Sequence, residues 1–234
     1  MIRFILLQVL AHTISDFYLQ TGKSCSDKEK NGFMSPKLYI HALITFVCAW
    51  LLSFSFNFWW MALIIAATHL LVDAMKCYAS KCKYIFFIDQ LLHLIVIVAV
   101  CCLWNCDLPD CVSGMDEKYI ALLSGVLICA KPSNIMIKEI FKAANIKVNN
   151  GSDDDNTGDL PNAGKLIGII ERLLSLAFVL LGQYEAVGFI IAAKSILRFA
   201  EGDKAKSEYV LIGTLLSFSI AVFIGLAIKL YYNL

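Results

Sequence analysis

Eight apolar runs, separated by charged or turn-rich segments, constrain this 234-residue chain more than any other feature. They cover residues 2–19, 38–56, 59–75, 84–104, 119–130, 166–181, 186–199 and 209–231. A hydrocarbon core of about 30 Å is crossed by roughly 20 mostly apolar helical residues, and within it each backbone polar group must find its partner inside the segment. The runs therefore predict an all-α polytopic membrane protein of about eight transmembrane helices. The runs at 119–130 and 186–199 are short, so the count is six to eight if they are re-entrant arms. With 59% hydrophobic and 17% charged residues, the composition lies outside the balance of soluble domains. A net charge of +1 provides no field to gather nucleic acid, so the expected partners are membrane lipids, with a homo-oligomer left open.

Lys and Arg set the orientation, because cytoplasmic loops carry their excess. If all eight runs span and the N-terminus is outside, 15 of the 20 basic residues fall in one set of loops. These are Lys23, Lys28, Lys30, Lys37, Lys76, Lys81, Lys83, Lys131, Lys138, Lys142, Lys147, Lys165, Arg198, Lys204 and Lys206. Arg3, Lys118 and Lys229 fall on the other side, and Arg172 and Lys194 lie within apolar runs. The pattern predicts a bacterial inner-membrane protein with both termini outside the cytoplasm. The first run lacks a strong basic lead and a small-residue cleavage site, so it is expected to be retained.

Three parts are expected: a first transmembrane half over 1–131, a cytoplasmic segment over 132–162 and a second transmembrane half over 163–234. Within the middle segment, Met136, Ile137, Ile140, Phe141 and Ala144 recur at helical spacing and predict a short interfacial helix. Residues 149–158, Asn-Asn-Gly-Ser-Asp-Asp-Asp-Asn-Thr-Gly, read as a polar linker. Of the nine cysteines, Cys48, Cys101, Cys102 and Cys129 lie in apolar runs and read as packing residues, while Cys77 and Cys82 read as free thiols. Cys106 and Cys111 share an acidic outer loop, where a local disulfide is open.

All four histidines lie in the first four runs, and three pair with an aspartate at i,i+4: His12 with Asp16, His69 with Asp73, and Asp89 with His93. Such residues share a helix face. The order reverses in the fourth run, as an antiparallel crossing requires. At 1.5 Å per residue, His12, His69 and His93 are roughly 12 to 14 Å deep from the cytoplasmic end, while Asp16, Asp73, Asp89 and His41 are roughly 6 to 8 Å deep. Four helices thus deliver one layer of imidazoles and one of carboxylates. Each such group costs on the order of 2.5 to 3.5 kcal/mol to insert, and ionisable groups held within a membrane mark sites or pathways.

Neutral imidazoles and carboxylates suit a divalent metal, zinc first, with manganese or iron as alternatives. His12, Asp16, His69, Asp73, Asp89 and His93 are the candidate ligands, and Asp16, His41 and Asp89 the candidate catalytic groups. A metal with an open position lowers the pKa of bound water toward 7, and an unligated carboxylate can serve as general base.

His12-Thr-Ile-Ser-Asp16-Phe17-Tyr-Leu-Gln20, with His41, His69-Leu-Leu-Val-Asp73 and Asp89-Gln-Leu-Leu-His93, resembles a family of uncharacterised bacterial membrane proteins known only as a domain of unknown function. The resemblance covers roughly the first 100 residues and implies no substrate. A weaker likeness, in style only, is to LexA-binding, inner-membrane-associated proteins regarded as metal-dependent hydrolases, and it implies a hydrolase by analogy.

In the second half, Glu171 and Arg172 lie inside an apolar run, followed by Lys194, Arg198 and Glu201. They are either ion pairs that join helices or an anion clamp in which Glu171, Arg172, Lys194 and Arg198 bind substrate. In the second case the two halves are expected to face one another. The leading expectation is a membrane-embedded, metal-dependent hydrolase acting on a lipid-linked or anionic substrate at the cytoplasmic leaflet. A divalent-cation or proton transporter and a non-catalytic interaction subunit are the alternatives.

Overall fold

The computed structural model describes residues 1–78, 82–104, 114, 116–146, 163–199 and 204–233. Cys106, Cys111, Glu201, the polar linker at 149–158 and the side chain of Arg198 lie outside the described residues. No strand occurs among those described. The chain divides into two compact units, Met1–Ser124 and Gly125–Leu234.

In the first unit, α1 (Ile2–Thr13) continues into a π-helical turn, Ile14–Leu19. The chain then leaves helical geometry at Gln20, and Thr21 caps α2 (Gly22–Asn31) by accepting from the Ser24 amide at 3.3 Å. A short turn, Gly32–Met34, precedes α3 (Pro36–Leu52), whose first position is a proline preset for a helix start. The chain bends by 107° there, so α2 runs across the direction of α3. α4 (Trp59–Tyr78) and α5 (Ile85–Leu103) complete the group, followed by the start of α6 (Glu117–Ala143). α7 (Ala163–Leu180), α8 (Tyr184–Phe199) and α9 (Lys204–Tyr232) belong to the second unit. Gly182, at φ +74°, makes the turn between α7 and α8.

Five segments are long and apolar enough to cross a membrane: Ile2–Leu19, Phe56–Cys77, Ile85–Leu103, Glu117–Ala143 and Glu208–Tyr232. Counting the bent pair Gly22–Met34 and Pro36–Leu52 as one span gives six. All eight apolar runs are helical, but α7 carries Lys165, Glu171 and Arg172, and α8 has only 16 residues. Leu43, Leu63, Leu91, Ile95, Phe189 and Phe223 turn large apolar side chains outward from their helices, as a hydrocarbon surrounding favours. This is a multi-pass membrane protein.

The separate interfacial helix expected after residue 130 is instead the second half of α6. Pro132 lies inside that helix and removes the amide that Ile128 O would otherwise accept from. Ser133 Oγ donates to Ile128 O at 2.6 Å and fills the vacancy, so the apolar periodicity at 136–141 continues the helix.

The core of the first unit lies at one end of its helices. Phe4, Ala49, Phe58, Met61, Ala62, Ile65, Ile97, Val100 and Cys101 are buried in a single apolar cluster drawn from α1, α3, α4, α5 and the turn Phe56–Phe58 that leads into α4. Phe4 and Phe58 meet edge to face at 4.9 Å between centroids. Gln8 follows one helical turn inward from Phe4 and donates its amide to Ala49 O at 3.1 Å. Beyond it the same four helices turn polar.

Candidate metal centre

The i,i+4 spacing on α1, α4 and α5 places the histidines and aspartates on inward faces. All four imidazoles are at most 5% exposed. His69 and His93 stack at 4.0 Å between centroids, and the His12 ring lies 5.6 Å from His69 and 5.2 Å from His93. The three imidazoles thus lie side by side, and the His41 ring, 5.0 Å from that of His69, joins them.

Around Asp16 the geometry tightens. His41 Nε2 and His69 Nε2 are 3.0 Å apart, and Asp16 Oδ1 lies 3.4 Å from the first and 3.5 Å from the second. Tetrahedral ligands bonded at 2.0 to 2.1 Å are about 3.3 Å from one another, so these three atoms have the mutual spacing of a zinc-type ligand set. Asp73 Oδ2 is 3.8 Å from His41 Nε2 and 3.9 Å from His69 Nε2. Two further groupings, His12 with Asp16 and His69, and Asp73 with Asp89 and His93, each bring their ligand atoms within 4.8 Å of one another.

The carboxylates differ in their partners. Asp73 receives Lys28 from α2, and Asp89 receives Lys76 at 2.7 Å. Asp16 has no Lys or Arg partner among the described residues. It accepts from Ser15 Oγ at 2.9 Å and from Gln90 Nε2 at 3.4 Å, and three imidazole nitrogens lie 3.4 to 3.6 Å from Oδ1. A buried carboxylate without a counter-ion is costly, so this is where the centre calls for positive charge.

Gln90 defines what kind of charge. Its Nε2 faces Asp16 and Asp89, so its Oε1 is the acceptor and His12 Nε2, 3.3 Å away, is the donor. A neutral His12 then carries its lone pair on Nδ1, 3.6 Å from Asp16 Oδ1 and without a hydrogen bond. Two lone pairs face one another unless a cation stands near both. His41 Nδ1, His93 Nε2 and Asp89 Oδ1 are also buried without hydrogen-bond partners, although His93 Nε2 is only 3.3 Å from Asp89 Oδ1. Such orphaned buried groups are few in native proteins and mark functional sites or missing ligands.

Sequence reasoning passed over four contributors. Lys28 and Lys76 were counted as loop charges, yet Lys28 is 6% exposed and each closes on a buried carboxylate. Gln90 neighbours Asp89 on α5, off the i,i+4 pattern. Ser15 and Asp16 fall in the π turn, where Gln20 N donates to Ser15 O at i,i+5, a widened turn of the kind found at functional sites. The residue pattern carries no sign of that turn.

In the second unit, Lys194 pairs with Glu171. Arg172 is 1% exposed and donates to Cys129 O through Nε, to Ser217 Oγ at 2.8 Å, to Asn134 Oδ1 at 2.6 Å and to Ala130 O at 3.4 Å. Three of those acceptors, on Cys129, Ala130 and Asn134, flank Pro132, so the guanidinium braces α6 where its own ladder is interrupted and ties it to Ser217 of α9. Of the expected clamp, Glu171, Arg172 and Lys194 therefore stand in one neighbourhood, already engaged with each other or with α6.

No curated protein and no solved structure matches the chain. Residues 4–115, a stretch that carries all four histidines and all three aspartates of the centre, match the model of a family described as Protein of unknown function (DUF3307).

Proposed function

We propose that the first unit holds a divalent cation between Asp16 Oδ1, His41 Nε2 and His69 Nε2, with Asp73 as the neighbouring carboxylate. The protein is then a membrane-embedded, metal-dependent hydrolase of a lipid-linked or anionic substrate. The observation that carries this reading is the mutual spacing of 3.0, 3.4 and 3.5 Å among those three atoms, around the one carboxylate that lacks a cationic side chain. Zinc suits a buried set of nitrogen and oxygen donors, with manganese or iron as alternatives.

A bound metal with an open position supplies hydroxide near neutral pH. Asp89 Oδ1, buried and without a hydrogen bond, is the free acceptor for a proton, and His12 and His93 complete the polar wall beside it. In the bacterial inner membrane, with eight crossings and both termini outside, this layer lies toward the cytoplasmic leaflet and α2 covers it from that side.

A cation or proton transporter is the second reading, favoured by the succession of neighbouring polar groups from Lys28 through Asp73, His69, His12 and Gln90 to Asp89. The apolar cluster around Phe4, Phe58 and Val100 argues against it, because between Gln8 and that end the same helices pack aromatic and aliphatic side chains together. The test is elemental analysis of the purified protein by mass spectrometry, beside a His69→Ala variant. Stoichiometric metal in the wild type and its loss in the variant is the expected result, and no metal in the wild type would sink the reading. A lipid-hydrolysis screen set against metal uptake into liposomes then separates enzyme from transporter.

A further inference from the structure

The second unit contains a cavity of ≈ 390 Å³ whose lining includes Lys138, Lys165, Arg172 and Lys194 against a single carboxylate, Glu171. Phe141 and Tyr209, stacked at 4.5 Å between centroids, form part of its apolar wall. The lining is thus cationic at one part and aromatic at another, the division that an amphiphilic or phosphorylated ligand matches.

Among the described residues of this lining, Thr214 carries the buried side-chain polar atom that lacks a protein partner. Helical Thr and Ser side chains bond back to the carbonyl four residues earlier elsewhere in this chain: Thr13 to Val9 O at 2.8 Å, Thr68 to Ile64 O at 2.8 Å and Ser195 to Ile191 O at 2.8 Å. Thr214 does not. It is 4% exposed, its Oγ1 has no hydrogen bond, and it lines the cavity. Leaving a buried hydroxyl unpaired is costly, so an external acceptor or donor at this point gains a hydrogen bond.

The start of α7 contributes to the same lining. Gly164 and Lys165 are its second and third residues, and a Cβ placed on Gly164 would meet nothing within 4 Å. The N-terminal end of an 18-residue helix thus borders the cavity, with the positive end of the helix dipole there.

We propose that this cavity is a binding site for a phosphate-type anion, with Thr214 Oγ1 and the Lys138 ammonium as direct contacts and Lys165, Lys194 and the α7 N-terminus supplying positive potential. The proposal is independent of the metal reading of the first unit. The same chemistry is offered by a phospholipid headgroup and by free inorganic phosphate.

Intact-complex mass spectrometry of the full chain in detergent distinguishes them, using phosphatidylglycerol, phosphatidylcholine and inorganic phosphate as separate probes. Retention of phosphatidylglycerol over phosphatidylcholine identifies a lipid headgroup, and competition of that adduct by millimolar phosphate identifies a site open to the free ion. Thr214→Val keeps the side-chain shape and should weaken binding about tenfold, the value of one hydrogen bond to a charged group. Lys138→Gln should weaken it in the same direction, whereas Lys142→Gln, which removes an exposed charge one turn further along α6, should leave it unchanged. Equal retention of the two lipids with no phosphate adduct, or binding equally indifferent to Thr214→Val and Lys142→Gln, would overturn the proposal.

Discussion

The Nε2 atoms of His41 and His69 lie 3.0 Å apart, although the two residues come from different helices and are 28 positions apart in the chain. Two neutral imidazoles at that distance need a proton or a metal ion between them, since two nitrogen lone pairs repel. On the proposed reading, a zinc or similar ion bound there would stabilise the folded state by mass action. Adding zinc to metal-stripped protein should raise its melting temperature. His41→Ala and Asp16→Asn should abolish the rise, which differential scanning fluorimetry in detergent can measure.

Acid should release the metal. Imidazoles bind metal only when neutral and carboxylates only when ionised, so affinity falls as protons compete. With several ligands involved, bound zinc measured by chelator competition should drop by more than tenfold between pH 7.5 and 5.5. A flat profile would indicate that the imidazoles are not ligands.

Lys28 holds Asp73 from a polar helix that crosses the mouth of the site. Lys28→Met leaves that carboxylate buried and unpaired, and breaking such a pair costs about 3 to 5 kcal/mol. Metal-free protein should melt markedly lower, while saturating zinc should restore most of the loss, because the cation replaces the ammonium. If zinc gives the variant and the wild type the same increment, Asp73 is not part of the ligand set.

Arg172 acts on the second unit. Arg172→Met removes the donors that hold Cys129 O, Asn134 and Ser217, and it should destabilise by about 3 kcal/mol or more, since each hydrogen bond to a charged group is worth about 1.5 to 3 kcal/mol. Metal content should not change. Thermal unfolding and elemental analysis on the same sample check both halves of the expectation.

Gly225 lies against Val179, a stiff side chain that is 1% exposed; a Cβ at Gly225 would come within 2.8 Å of Val179 Cγ1. Gly225→Ala should therefore destabilise by about 1 to 3 kcal/mol through overpacking, and the double variant with Val179→Ala should recover part of it. Additive losses in unfolding measurements would show that the two positions do not touch.

Helical spacing makes much of the centre legible in the residues alone. The pairs His12/Asp16, His69/Asp73 and Asp89/His93, with the reversal on α5, suffice to predict a shared layer, because a helix face and an antiparallel crossing are both matters of period and direction. Lys28 and Lys76 were not legible as site residues. A basic residue near a helix end satisfies the orientation rule wherever its side chain points, and only the 107° bend before α3 turns α2 toward Asp73. The continuity of α6 through Pro132 depended on Ser133 and Arg172 supplying what the proline removes, a contact between residues about 40 positions apart that no local pattern encodes.

The apolar cluster around Phe4, Phe58 and Val100 has a consequence for traffic through the protein. A bilayer that houses three carboxylates, four imidazoles and two ammonium groups in one bundle risks becoming a leak for protons. Here the far end of the same four helices is sealed with aromatic and aliphatic side chains, so the charged layer is closed toward that end. On the proposed hydrolase reading, substrate and product must then use the same side, and the apolar end keeps the membrane insulated.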